Sequence, residues 1–97
     1  MDHETTIFPN ERFQPREGVT CREFDGDWVL LDLGAGKYFG LDAIGGVVWT
    51  NLIAGRTLGE IAGVLSTTYD VNSEQALRDT FALVGEMVGC GLVTRAP

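Results

Sequence analysis

The chain of 97 residues is short of the groups that chemistry most often needs, with one histidine and two cysteines. His3 stands in a polar lead-in, whereas a Ser-His-Asp or Cys-His catalytic set needs a histidine inside the fold, so that class is excluded. Cys21 and Cys90 lie far apart, with no Cys-x-x-Cys pair and no neighbouring histidine, which excludes zinc-ribbon and dithiol redox spacing. Two free, largely buried thiols are expected instead. Basic residues are also scarce: seven Lys and Arg stand against fourteen Asp and Glu, for a net charge of −7. Such a surface repels phosphate backbones and makes nucleic acid a poor partner. No apolar run approaches the roughly 20 residues that span a bilayer, and the first residues lack the basic-then-apolar pattern of a signal peptide. A cytoplasmic protein without a membrane partner is expected. No glycine-rich phosphate loop follows a strand, and neither Asp25-Asp27 nor Asp70-Asn72 has the acidic twelfth position of a calcium loop. No catalytic residue, metal or cofactor is therefore assigned.

What the chain does have is an ordinary globular composition, 44% hydrophobic, and a clear change of pattern midway. Residues 1–17 mix charge, Pro9, Pro15 and isolated Ile7, Phe8 and Phe13 without helical or strand period. They read as a flexible tail, with Phe8 or Phe13 as a pin, and residues 18–97 as the single domain. Val19–Phe24 is rich in β-formers, Asp25-Gly26-Asp27 is turn chemistry, and Trp28–Leu33 is a second strand, so a hairpin is predicted. Val29, Leu31 and Leu33 share one face and Asp32 lies on the other, which points the first set inward. Gly34-Ala35-Gly36 supplies a second turn, and Lys37–Leu41 returns as a third strand at an edge.

From Asp42 the period becomes helical. Asp42 is a candidate N-cap for a first helix over Ala43–Ala54 that stops at Gly55. Its Gly45-Gly46 pair implies either a close packing contact with the sheet or a weak first turn. Thr57-Leu58-Gly59-Glu60 has the form of a capping box for a short second helix over Leu58–Ser66. Thr67–Val71 reads as a connector that buries Tyr69 or Val71. A third helix starts after Asn72 or Ser73 and runs to Val88, and Leu92-Val93 is a closing strand or an extended tail. On that third helix Leu77, Phe81, Val84 and Val88 form a stripe, while Ala76, Thr80, Leu83 and Met87 form an adjoining shoulder. The combined arc is wider than a single core contact needs. The shoulder either packs on the other helices or lines a groove beside the sheet. On the residues alone, this is a small α+β binding or interaction domain with a three-stranded antiparallel sheet followed by three helices.

A family resemblance sharpens that reading. Val29-Leu30-Leu31-Asp32-Leu33, the glycine turn, Tyr38-Phe39-Gly40-Leu41-Asp42, then Gly45 and Trp49, Arg56-Thr57-Leu58-Gly59-Glu60-Ile61 and Tyr69-Asp70-Val71 resemble, in order and spacing, the PqqD-like family of recognition domains for ribosomally made, modified peptides. The resemblance covers residues 18–94 and implies a winged-helix-like fold. It also implies that a precursor's leader segment adds as a strand to the third strand and drops side chains into a groove bordered by the third helix. Lys37, Tyr38, Phe39, Gly40 and Leu41 would then form the edge, and Leu77, Thr80, Phe81, Leu83 and Val84 the groove wall. One of Tyr38 and Phe39 faces the groove, since neighbours on a strand point to opposite sides. Tyr-Phe-Gly-Leu and Trp49 look more like the stand-alone proteins of lasso-peptide clusters than like the protein serving pyrroloquinoline quinone synthesis, which is the alternative. The partners implied are a precursor leader and a leader peptidase or other modifying enzyme, with the chain a monomer or weak homodimer. A winged-helix DNA-binding module is the reading from another class, opposed by a third helix that carries Arg78 beside Glu74, Asp79 and Glu86.

Overall fold

Asp25 and Gly26 both hold positive φ, 52° and 87°, the paired left-handed geometry that suits a two-residue hairpin turn. The chain therefore reverses tightly between β2 (Val19–Phe24) and β3 (Asp27–Asp32), which pair antiparallel from Phe24 opposite Asp27 to Val19 opposite Asp32. In this computed structural model, which describes residues 7–97, a shorter strand β1 (Phe13–Pro15) precedes them. At the far end of β3 the Asp32 carboxylate accepts from the Ala35 N–H at 3.1 Å, and the Asp32 carbonyl accepts from the Gly36 N–H at 2.9 Å. That turn returns the chain as β4 (Lys37–Leu41), giving a sheet in the order β2-β3-β4. The helices α1 (Ala43–Ile53), α2 (Leu58–Tyr69) and α3 (Ser73–Gly89) follow, and β5 (Val93–Arg95) closes the chain. The α+β architecture predicted from the pattern is present, with a small β1–β5 sheet added.

The inward face of the sheet is the opposite of the one expected from Asp32. Leu30 is fully buried, whereas Leu33 is 70% exposed and Val29 and Leu31 are half-buried. Register explains the reversal: Leu30 is paired with Cys21 on one side and Phe39 on the other, and this row faces the helices. Asp32 belongs to the same row, but its carboxylate is held by the turn, so its polarity does not mark the solvent face.

The segment read as a tail is also built into the domain from residue 7 onward. Phe13 is 2% exposed in the core, and β1 pairs with β5 from Phe13 opposite Arg95 to Pro15 opposite Val93. Arg95 lies over the Phe13 ring at 5.7 Å and pairs with Glu11, and that partner holds the Glu11 carboxyl below its usual range. The carbonyls of Pro9 and Glu11 accept from the Gly59 and Leu58 N–H groups at 2.8 and 3.0 Å. The first turn of a helix leaves such donors without partners inside the helix, and the lead-in supplies them. The expected flexibility of residues 1–6 lies outside the described residues.

Local signals account for the helix starts. Asp42 Oδ1 accepts from the Gly45 N–H at 2.8 Å, Asn72 Oδ1 from the Gln75 N–H at 2.8 Å, and Thr57 and Glu60 exchange the two bonds of a capping box. α2 continues three residues beyond the predicted Ser66 and ends where Asp70 takes a left-handed conformation, φ 55°, with its N–H donated to the Ser66 carbonyl. The glycine pair of α1 marks a close approach. A Cβ on Gly46 would stand 2.6 Å from Trp28 Nε1 and 2.8 Å from two ring carbons, so the helix backbone rests directly on the indole of β3. Behind this contact Val48, Trp49 and Leu52 of α1 join Leu58, Ile61 and Leu65 of α2 and Val84 and Met87 of α3 in the core. Among the described residues no helix is long and apolar enough to cross a membrane.

Candidate functional site

β4 has β3 on one side and, among the described residues, no strand on the other. Along that free side alternate N–H and C=O groups of Lys37–Leu41 are open to another strand. The sheet's other edge, β2, ends in exposed Arg22, Glu23 and Phe24, and charged side chains of that kind discourage strand pairing. The register assigns the side chains of β4: Phe39 is opposite buried Leu30 and Leu41 is opposite Trp28, on the helix side, while Tyr38 is opposite Leu31 on the outward side. Phe39, half-buried against the core, is thus the aromatic beside the helices, and Tyr38 is 76% exposed on the far face.

Next to this edge lies an apolar groove of about 130 Å³. Phe39, Gly40 and Leu41 form one wall; Leu83, Glu86, Met87 and Cys90 of α3, with Leu92 beyond it, form the other. Of the residues predicted for the site, Phe39, Gly40, Leu41 and Leu83 meet here. Lys37 and Tyr38 are exposed on β4 but outside the lining. Leu77 and Phe81 are half-buried against the core and do not reach the groove. Thr80 and Val84 are fully buried, and the Thr80 hydroxyl donates to the Ala76 carbonyl at 2.8 Å, so both belong to the core rather than to a groove wall. The shoulder of α3 is therefore divided: Ala76 and Thr80 are buried in the core, while Leu83 and the buried Met87 line the groove.

Met87 belongs to the shoulder for which a groove was one of the two expectations, whereas Glu86, Cys90 and Leu92 were not anticipated. Their signal was present in the spacing, since positions 83, 86, 87 and 90 fall on one side of a helix. Cys90 is exposed rather than buried as expected, because it caps the end of α3 at the groove mouth. Cys21 is half-buried on β2, and burial, helped by the charge of Glu23, raises its thiol pKa. The outward face of the sheet is apolar in its own right, with half-buried Val29 and Leu31 beside exposed Tyr38. On the solvent side of α3, Gln75 bridges Arg78 and Asp79, leaving a surface with little to offer a phosphate backbone. Among the described residues no group of three or more His, Cys, Asp or Glu could hold a metal ion.

Fold and groove together define the class, a small α+β binding domain that offers an open strand edge with an apolar trough beside it. The chain belongs to the PqqD family: residues 27–93 match the family model described as coenzyme PQQ synthesis protein D. Domains of this family are binding modules rather than enzymes. Among solved structures, a lasso peptide synthetase B1 complexed with the leader peptide is 28% identical, with a TM-score of 0.81 over 86% of this chain and 98% of that one. TbiB1 in complex with the TbiA(beta) leader peptide is 30% identical, with a TM-score of 0.77 over 82% and 93%. The PqqD truncation of Methylobacterium extorquens PqqCD, a stand-alone recognition element for ribosomally synthesised and modified peptides, shares the fold at 24% identity, with a TM-score of 0.78 over 95% and 98%. No curated protein sequence matches the chain.

Proposed function

We propose that this chain binds the leader segment of a ribosomally made precursor peptide as an added strand on β4, and presents it to a processing enzyme. A leader peptidase of a lasso-peptide pathway is the enzyme we favour. The observation that carries the reading is the juxtaposition of the open β4 edge with the groove between Phe39 and Leu83. Backbone pairing gives affinity that tolerates sequence, and the groove selects alternate side chains. A strand added at β4 leaves the outward face at Val29, Leu31 and Tyr38 uncovered, and we assign that face to the processing enzyme. Support for leader binding comes from two similar structures that hold leader peptides, and support for the lasso branch from the first of them, a lasso peptide synthetase B1. Service to pyrroloquinoline quinone synthesis is the second reading, suggested by the family's description.

Both are tested by titrating fluorescent synthetic leaders, one from a lasso precursor and one from the quinone precursor, against the purified chain. Saturable binding of the lasso leader with a dissociation constant below about 100 micromolar supports the first reading. Preference for the quinone leader supports the second, and no saturable binding of either rejects both. Proline scanning tests the docking mode. One of the neighbours Phe39 and Gly40 has its N–H directed away from β3, and proline there removes the outward donor while leaving the ladder intact. That variant should fold and bind weakly. Sedimentation of the free and bound chain distinguishes a monomer from a weak homodimer.

A further inference from the structure

Glu86 is chemically out of place in the groove. Phe39, Leu41, Leu83, Met87 and Leu92 around it are apolar, and it is the one carboxylate among the described lining residues. Its side chain is exposed and takes part in no ion pair or side-chain hydrogen bond among the described residues. Lys37, on the same face of β4 as Phe39, does not pair with it. In the free protein water solvates this carboxylate. A peptide lying in the groove displaces part of that water, and a charge left among apolar walls without a partner opposes binding. The occupant must therefore bring its own partner for Glu86. A cation answers that need better than a neutral donor, because the chain's net charge of −7 also attracts positive charge from a distance.

Spacing states where that cation belongs. Leu83, Glu86 and Cys90 follow one another on α3 at steps that share a helix side, spanning about 10 Å at 1.5 Å per residue. An added strand presents a groove-facing side chain about every 6.7 Å. Glu86 stands about 4.5 Å along the axis from Leu83 and Cys90 about 10 Å, so the trough receives two successive groove-facing residues, one at the apolar Leu83 end and the next between Glu86 and Cys90, within reach of the Glu86 carboxylate. Resting on the strand-addition reading above, we infer that Glu86 is a specificity residue for a leader that carries Lys or Arg two positions from the apolar side chain filling the Leu83 end.

The test is a selection that needs no known precursor. A display library of ten-residue peptides, randomised throughout, is sorted against the intact chain and against Glu86→Lys and Glu86→Gln variants, whose folding is checked by thermal denaturation. The wild-type chain should enrich an apolar residue and a Lys or Arg two positions apart, and Glu86→Lys should enrich Asp or Glu in place of the cation. The basic peptide should bind Glu86→Lys roughly threefold to tenfold more weakly, as expected for a partly exposed ion pair, and the gap should narrow as salt is raised. Enrichment of hydroxyl side chains, or the same peptides from wild type and Glu86→Lys, would overturn the inference. The two readings fail separately. Binders that require the outward N–H of β4 yet show no basic preference overturn the role of Glu86 alone, whereas binders indifferent to that N–H overturn strand addition as well.

Discussion

Replacing Gly46 with alanine should destabilise the domain, although the same change in an unobstructed helix does the reverse. Alanine in a helix interior is favoured over glycine by about 1 kcal/mol. At position 46 the added methyl would lie 2.6 Å from Trp28 Nε1 and 2.8 Å from Cδ1 and Cε2, where unstrained contacts between carbon atoms lie near 3.5 to 4.0 Å. The indole is a rigid plate held between β3 and α1, so relief requires moving the ring or the helix by about 1 Å. Overpacking of this kind costs about 1 to 3 kcal/mol. Set against the propensity gain, the expected net loss is about 1 kcal/mol, or a melting temperature lower by about 4 to 8 °C for a domain of this size. The internal control is Gly63 of α2, where an added Cβ meets nothing within 4 Å; Gly63→Ala should raise stability by up to about 1 kcal/mol. Urea denaturation followed by circular dichroism measures both. A Gly46→Ala variant more stable than the wild type, moving in the same direction as Gly63→Ala, would refute the close approach of α1 to Trp28.

Three further outcomes are expected. Leu30→Ala should cost about 2 to 5 kcal/mol as a fully buried truncation, whereas Leu31→Ala, half-buried on the outward face, should cost about 1 kcal/mol or less; equal losses would return the inward face to the Val29–Leu31 row. Cys90, exposed at the groove, should label readily with iodoacetamide and be protected by bound leader, while Cys21, half-buried and raised in pKa, should label slowly with or without it; mass spectrometry of the labelled peptides decides. The Glu60 carboxyl is held below its ordinary value of 4.5, chiefly by the Thr57 N–H it accepts. Because the folded value is the lower one, its contribution is complete above the ordinary value and is lost as pH falls through the folded value. The stability difference between wild type and Glu60→Ala should therefore shrink on acidification below 4.5, and a difference independent of pH would contradict the capping role.

Capping and turn residues were legible because their chemistry is local. Asp42, Thr57 with Glu60, and Asn72 cap the helices predicted from them, and Asp25-Gly26 turns the hairpin predicted from it. The glycine pair of α1 announced a close contact, though not that Trp28 would supply it. Misreadings arose wherever a residue's polarity served a neighbour instead of the solvent boundary, as with Asp32, or where a lone apolar residue found a distant partner, as with Phe13 across from β5. The site was half visible. Phe39, Gly40, Leu41 and Leu83 were named from the chain for the groove and Met87 was left open between core and groove, while Thr80 and Val84 are core and Glu86, Cys90 and Leu92 were missed. A helix with a wide apolar arc does not reveal which flank meets the core, since both flanks satisfy the same periodicity.

The sequence by itself determined the order and kind of most elements, the helix caps and hairpin turn, and the family resemblance at Tyr38-Phe39-Gly40-Leu41-Asp42. These depend on propensities and hydrogen bonds between residues a few positions apart. Only the tertiary structure decided that Leu30 rather than Leu31 faces inward, that residues 13–15 belong to the fold, and that a carboxylate stands in the apolar groove at β4. Those outcomes depend on register and on how α3 is set against the sheet. A one-residue slip reverses every side chain of a strand while leaving its composition unchanged.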